Sequence, residues 1–316
     1  MKVVYVTGCL GFIGAYVTRA CLKRGWQVRG VDKMTYAANP DLLSEFFQSD
    51  NFVFEEKDIK DLKWLYDCDY VINTAAETHV DNSIVNSDDF IESNIKGVHN
   101  LLKLITTKKN YRMPVFLHFS TDEVYGDILE GSHNEKDLLA PSNPYSATKA
   151  AADQLIMAWK RTHDVPYVIV RPTNNYGVGQ YVEKLLPKSC KYLQLGQKIP
   201  LHDGGNPTRI WLHAKDTAQA IVKIIDTGVK NEIFNISGGF EQKNLDTVKK
   251  TVASFVDDDF DFDVDSYINI SYERKGHDLR YSIDDSKLRA LGWKPVCKFD
   301  DEIDEIVKYY RENFVW

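Results

Sequence analysis

Residues 118–126 read HFSTDEVYG, so Asp122 and Glu123 stand side by side directly behind the apolar run VFLHFS. Neighbouring carboxylates repel. They belong either on a solvated turn or in a site where each handles its own proton. If both converge on one substrate, repulsion favours a protonated Asp122 beside an ionised Glu123, an acid and a base together. Adjacent side chains on a straight strand face opposite ways, so convergence demands a backbone bend at residues 121–123. A second pair lies in PSNPYSATKAAAD. Asn143 and Pro144 read as an N-cap and first-turn pair, which sets Tyr145 and Lys149 four residues apart on one helical face. A nearby cation lowers a phenol from its reference pKa of about 10. Tyr145 could then take a proton from a sugar or alcohol hydroxyl as hydride leaves the same carbon. The alternative is a surface tyrosine and a solvated lysine.

A hydride needs an acceptor, and TGCLGFIGAYV supplies a candidate site for one. Gly8, Gly11 and Gly14 follow a short β-branched run and open an apolar helical segment. Glycines there let the backbone turn tightly and approach a pyrophosphate, while the helix amino terminus offers N–H groups to its charge. Asp32 closes the next strand, where a carboxylate accepts from ribose hydroxyls and repels a 2′-phosphate, favouring NAD over NADP. Lys33 offsets part of that repulsion. Asp58 either touches the adenine edge or caps the helix that follows it.

These residues need a frame. Strands are expected at 2–7, 28–32, 51–58, 69–76, 115–120 and 166–172, with helices at 12–24, 90–107 and 146–161 between them. That rhythm predicts an α/β fold, a Rossmann-type parallel sheet with helices on both faces. After residue 172 the rhythm changes. A helix over 183–196, a helix over 211–226, a strand over 232–238 and helical segments at 248–258, 285–293 and 301–313 suggest a smaller carboxy-terminal substrate-binding lobe. The expected division is 1–172 for the dinucleotide-binding domain and 173–316 for the lobe, with part of 208–240 returning to the first.

The 316 residues carry a formal charge of −7, which argues against broad nucleic-acid affinity. Five scattered cysteines without C-x-x-C spacing argue against a disulfide framework or a zinc site and fit a reducing compartment. There is no apolar run of roughly 18 residues to span a bilayer. The expectation is a cytoplasmic protein with no metal and no membrane partner.

The blocks TGCLGFIG, DKMTYAAN, NTAAETHVDNSI, STDEVYGD, PSNPYSATKAAAD, RPTNNYG, EKLLP and KGHDLRYSIDDSKLRALGW together resemble the nucleotide-sugar 4,6-dehydratases of the extended short-chain dehydrogenase/reductase family. S-T-D-E-V-Y-G is the specific block, because the epimerases of the wider family usually place serine or alanine where the dehydratases have the acid pair. The resemblance implies bound NAD and a nucleotide-diphosphate hexose. Asp122 is implied to protonate the departing C6 oxygen and Glu123 to remove the C5 proton. Thr121 would bond the C4 oxygen beside Tyr145, and Lys149 would orient the nicotinamide ribose. Phe12, Ile13, Ile59 and Ala75 join Gly8, Gly11, Gly14, Asp32, Lys33 and Asp58 as implied cofactor residues. Thr78, Asn174, Glu183, Lys184, Arg209 and Arg280 are implied substrate residues, the two arginines offering planar forks to the diphosphate. Asn94 is implied to hold the active-site helix, and Arg274 is a weaker phosphate candidate. For His79 a structural role weighs equally, and Asn175 and Tyr176 are expected to shape their turn. The family also implies a homodimer through helices 90–107 and 145–161.

Three blocks depart from the family: RIWLHAKDT, where Ile210 replaces an acid and His213 an aromatic; ISYERKGHD; and QYVEKL. They leave open whether the nucleotide is dTDP-glucose or UDP-glucose. A 4-epimerase or decarboxylase, and a non-catalytic NAD-binding regulatory protein, are the competing readings.

Overall fold

The computed structural model describes residues 1–108, 112–256, 263–272 and 278–313. Arg274 and residues 257–258 of the helix expected over 248–258 lie outside these. Seven parallel strands form the main sheet: β1 (Val3–Thr7), β2 (Gln27–Asp32), β3 (Phe52–Glu56), β4 (Tyr70–Asn73), β5 (Val115–Phe119), β6 (Tyr167–Pro172) and β10 (Glu232–Ile236). Their order is β10-β6-β5-β4-β1-β2-β3, so the winding reverses between β1 and β4. A crevice for a ligand opens at the carboxyl ends of the strands on such a reversal.

Burial explains why the strands read as apolar runs. All five residues of β5 and all four of β4 are buried, as a sheet covered on both faces requires. Successive side chains alternate between two cores. Val4, Val6, Leu117 and Val170 meet Val17, Cys21, Ile221 and Ile225 of helices Phe12–Lys23 and Ala214–Thr227. Tyr5, Val71, Phe116 and Ile169 meet Leu101, Leu102, Ala152 and Ile156 of helices Val98–Thr106 and Pro144–His163. Helix Ala214–Thr227 therefore packs on the main sheet, of which β10 is an edge strand.

The remaining strands form two small sheets. β7 (Asn174–Tyr176), β9 (Thr208–His213) and β11 (Phe240–Lys243) make one, and β8 (Ile199–His202) pairs with β12 (Ile268–Tyr272) in the other. Helices Leu185–Gln194, Asn244–Val256 and Phe299–Glu312 cover them. Among the described residues no helix is long and apolar enough to cross a membrane.

Two expected helices differ. Residues 211–213 end β9, and the helix starts only at Ala214, where His213 Nδ1 caps Lys215 N at 2.9 Å. Residues 90–107 are interrupted by a π-helical stretch at Ile91–Gly97. A side chain at Gly97 would come within 2.5 Å of Ile59, so the glycine admits close packing there. The widened turn carries Asn94, whose amide donates to Thr148 Oγ1 (2.9 Å) and Glu77 O (3.0 Å) and whose oxygen accepts from Glu77 N (2.9 Å).

A buried polar cluster fastens the end of the sheet beneath the acid pair. Arg171, 2% exposed, donates from Nε and Nη2 to Asp153 Oδ2 at 3.0 and 2.9 Å, and from Nη1 to the Tyr125 hydroxyl at 2.6 Å. Ser120 Oγ donates to the same carboxylate at 3.1 Å, and Tyr125 in turn donates to Asn235 at 2.9 Å. β5, β6, β10 and the helix carrying Tyr145 are thereby tied at one point. Arg171→Met leaves Asp153 buried and uncompensated, and the expected loss in urea unfolding is about 3–5 kcal/mol. Arg171→Met combined with Asp153→Leu should recover most of it; a single variant as stable as the parent would show that the pair holds nothing together.

Candidate active site

The crevice runs across the carboxyl ends of the strands from the glycine loop to the second lobe. At one end Gly8 adopts a φ of +70°, and a side chain there would meet Ala75 N at 2.7 Å. At Gly14 an added Cβ would lie 2.0 Å from Gly8 O. The loop thus folds back on itself in a way that only glycine permits, and it leaves the amino terminus of helix Phe12–Lys23 facing the cleft. Gly8, Gly11, Phe12, Ile13, Gly14, Asp32, Lys33, Asp58, Ile59 and Ala75 all line this end. A cradle that side chains would fill, a helix amino terminus and an acidic strand end fit a dinucleotide.

Asp32 is already engaged. It accepts from Leu10 N at 3.0 Å and Met34 N at 2.8 Å, and burial pushes its carboxyl above the usual range. Lys33, which the sequence left as a counterweight to Asp32, turns toward other groups. Its ammonium lies 3.2 Å from Glu77 and 3.9 Å from Asp58 and donates to Ser93 Oγ at 2.9 Å. Asp58 caps Lys60 N at 3.0 Å and also lines this end of the cleft.

The bend required by the acid pair is present. β5 stops at Phe119, and Asp122–Tyr125 form a 3-10 turn capped by Thr121, whose Oγ1 accepts from Glu123 N at 3.3 Å. The turn brings both carboxyls and the Tyr145 ring to the same cleft. Asp122 is 3% exposed; Thr121 Oγ1 donates to its Oδ1 at 3.2 Å, while Oδ2 is buried with no hydrogen-bond partner. Burial first, and the Glu123 charge second, push its carboxyl up to about 7. Glu123 is less enclosed and reaches both halves of the cleft.

Tyr145 and Lys149 correct the sequence reading. The Lys149 ammonium lies outside the cleft lining and donates to Phe119 O at 2.5 Å. Burial brings its pKa down to about 8, with Asp153 opposing. The phenol of Tyr145 is pushed up, chiefly by burial and then by Glu123.

The far half of the cleft is built by both lobes. Lys184 Nζ donates to Thr78 O at 3.0 Å and lies 3.2 Å from Glu183, which accepts from the Tyr36 hydroxyl at 3.2 Å. Thr78, Asn174, Glu183, Lys184 and Arg209 all line it. Arg209 is buried, its guanidinium 4.5 Å from the Tyr281 ring and bonded to the carbonyls of Thr208 (2.8 Å) and Asp278 (3.1 Å). Arg280 is the second correction. Its fork grips Glu241 at 2.5 and 3.0 Å and the carbonyls of Ile128 and Gly131 at 3.1 and 2.9 Å, so it anchors a loop to β11 and does not line the cleft. An arginine motif does not reveal which acid its fork will meet first.

His79 caps Asn82 N and borders the cleft, whereas His213 is buried between Tyr16 and Tyr176, away from it, with burial lowering its pKa to about 4. Asn175 shapes its turn through Thr173 O and Thr217. Sequence reasoning gave no role to Gln180, Tyr181 and Tyr281, which line the cleft from within the blocks QYVEKL and KGHDLRYSIDDSKLRALGW. It saw Asn143 only as a cap, yet Asn143 Nδ2 also donates to Glu123 Oε2 at 3.3 Å.

The raised carboxyl of Asp122 has a cost in stability. Its native pKa of about 7 lies above the ordinary 3.8, so stability is fully present below the lower value and is lost as pH rises through the upper one. Asp122→Asn removes this slope. The variant should gain on the order of 3–4 kcal/mol relative to the parent between about pH 4 and about pH 8, read by urea unfolding. Parallel stability curves would show that Asp122 ionises as an ordinary aspartate.

Residues 5–306 match the GDP-mannose 4,6 dehydratase family. A dTDP-glucose 4,6-dehydratase from Streptomyces niveus is 38% identical over 99% of this chain and 94% of its own. The low-salt glycan biosynthesis protein Agl12 from Haloferax volcanii is 38% identical over 97% of this chain and 98% of its own. The crystal structure of DesIV, a dTDP-glucose 4,6-dehydratase from Streptomyces venezuelae solved with NAD bound, superposes with a TM-score of 0.92 at 35% identity, covering 99% of this chain and 98% of that one. A glycine loop, an acid pair in a capped turn and a tyrosine converging on one crevice thus occur in a chain that belongs to the GDP-mannose 4,6 dehydratase family of nucleotide-sugar 4,6-dehydratases.

Proposed function

We propose that the protein is an NAD-dependent nucleotide-sugar 4,6-dehydratase that converts dTDP-glucose to its 4-keto-6-deoxy sugar, with UDP-glucose as the alternative nucleotide. The observation that carries this reading is Asp122, buried beside Glu123 and Tyr145 with one carboxyl oxygen unpartnered. An epimerase has no use for a held proton next to a second carboxylate; loss of water needs both. The similarity to dTDP-glucose dehydratases supports the choice of nucleotide.

NAD bound along the glycine loop supplies a hydride acceptor for sugar C4 and the donor that later returns the hydride to C6. The rest falls to side chains. Thr121 and Tyr145 bond the C4 hydroxyl, and Tyr145 takes its proton. Positive charge must reach the phenol first, because burial holds it protonated; Lys149, one turn along the helix, is the cation this chain contributes. With a carbonyl at C4 the C5 proton becomes acidic, and Glu123 removes it. Asp122 gives its proton to the C6 oxygen, which leaves as water. Glu123 returns a proton to C5. The proton gained at Tyr145 balances the one Asp122 gave up, so the net change is loss of one water.

Incubation with dTDP-glucose, UDP-glucose and GDP-mannose, followed by mass spectrometry, tests the reading. The expected product has lost one water and, in deuterated solvent, carries one deuterium at C5. Asp122→Asn should still oxidise C4 but lose water roughly 10²–10⁴-fold more slowly. Unchanged mass with inverted C4 would instead indicate epimerisation, and full turnover by Asp122→Asn would remove that residue's role.

A further inference from the structure

We propose that Asn143 is a positioning residue that registers the base Glu123 against the helix carrying Tyr145. The inference rests on the dehydratase reading and adds to it a residue that neither motif nor similarity assigns. Asn143 is 7% exposed at the amino terminus of helix Pro144–His163. Its Oδ1 accepts from Ser146 N at 2.9 Å, its Nδ2 donates to Glu123 Oε2 at 3.3 Å, and its own N–H donates to Ser146 Oγ at 3.3 Å. The two side-chain bonds fix which way the amide points. A backbone N–H only donates and an ionised carboxylate only accepts, so the oxygen must face Ser146 and the nitrogen must face Glu123. At 3.3 Å the second bond is long, as catalytic contacts often are until substrate draws them tight.

Capping alone does not explain an asparagine here. Asn, Asp and Ser cap helices about equally well, but Asn alone adds a separate NH₂ donor on the same side chain. That donor reaches Glu123 Oε2. It also links two groups that act on neighbouring atoms of one sugar. Tyr145 takes the proton from the C4 oxygen, Glu123 the proton from C5, and their separation must hold through both steps. Asn143 is two residues from Tyr145 along a capped helix and hydrogen-bonded to Glu123 across the cleft, so it sets that separation.

The test uses full-length holoenzyme carrying Asn143→Ser or Asn143→Asp, with dTDP-glucose in deuterated water. Both substitutions keep a capping oxygen and remove the amide NH₂ that reaches Glu123, the serine hydroxyl being too short to span the gap; Asn143→Asp also sets a like charge against Glu123. A pure cap predicts that neither changes the chemistry. We expect C5 deuterium uptake and water loss to fall roughly 10- to 100-fold in Asn143→Ser, and further in Asn143→Asp. C4 oxidation, followed in a single turnover by the absorbance of reduced nicotinamide, should stay near the parental rate, with the thermal midpoint confirming the fold. The assignment fails if both variants exchange C5–H at the parental rate, or if C4 oxidation falls as far as the exchange does. A parent that never loses water sinks the dehydratase reading itself, and that result is visible before any variant is compared.

Discussion

Burial, with the Glu123 charge beside it, pushes the Asp122 carboxyl up, and the cleft is organised around that constraint. Water would solvate both and separate their charges cheaply; at 3% exposure Asp122 has no such recourse. The strand gives way to a 3-10 turn at this place, so that the two side chains point into one crevice instead of to opposite faces of the sheet. Asymmetry between them follows from position. Asp122 faces the interior with one oxygen unpartnered, while Glu123 opens toward both halves of the cleft and meets an amide donor. The first environment favours holding a proton.

The turn rests on a buried polar floor. Arg171, Asp153, Ser120 and Tyr125 supply it, joining two strands, the turn and the helix of Tyr145 with bonds that water does not reach. At the opposite end of the crevice, Gly8 and Gly14 bring backbone so close to backbone that nothing larger fits. Between these fixed ends, Lys184, at the start of helix Leu185–Gln194, donates to Thr78 O and ties the far half of the cleft together. The turns at the carboxyl end of the main sheet therefore carry the acid pair and the glycine loop, and Lys184, Arg209 and Tyr281 border the cleft from outside that sheet.

Much of this was legible from the chain because local chemistry decided it. The glycine spacing, the Asn–Pro helix start and the continuous apolar runs each follow from backbone needs that no distant residue can overrule. The acid pair was legible because its bend was the only way to make both side chains useful. What failed depended on partners far apart in sequence. Arg280 met Glu241 and two loop carbonyls before it could meet a phosphate. Lys149 found the Phe119 carbonyl, and burial, followed by the Glu123 charge, raised the Tyr145 phenol. The π-helical stretch at 91–97 came from packing of Gly97 on Ile59 and from the three bonds of Asn94, none of which a helical repeat encodes. The strands β7, β8 and β9 were missed because a three- to six-residue strand within loop-rich sequence carries little periodic signal.

The account stands on the protonation of one side chain, and carbon NMR of the carboxyl groups reads it directly. With labelled aspartate in the intact protein, and Asp122→Asn to assign the signal, the Asp122 carboxyl carbon should titrate with a midpoint near 7, well clear of the other aspartates. A midpoint close to the ordinary 3.8 would mean that the turn holds two charged carboxylates at neutral pH, and the division into acid and base would fall.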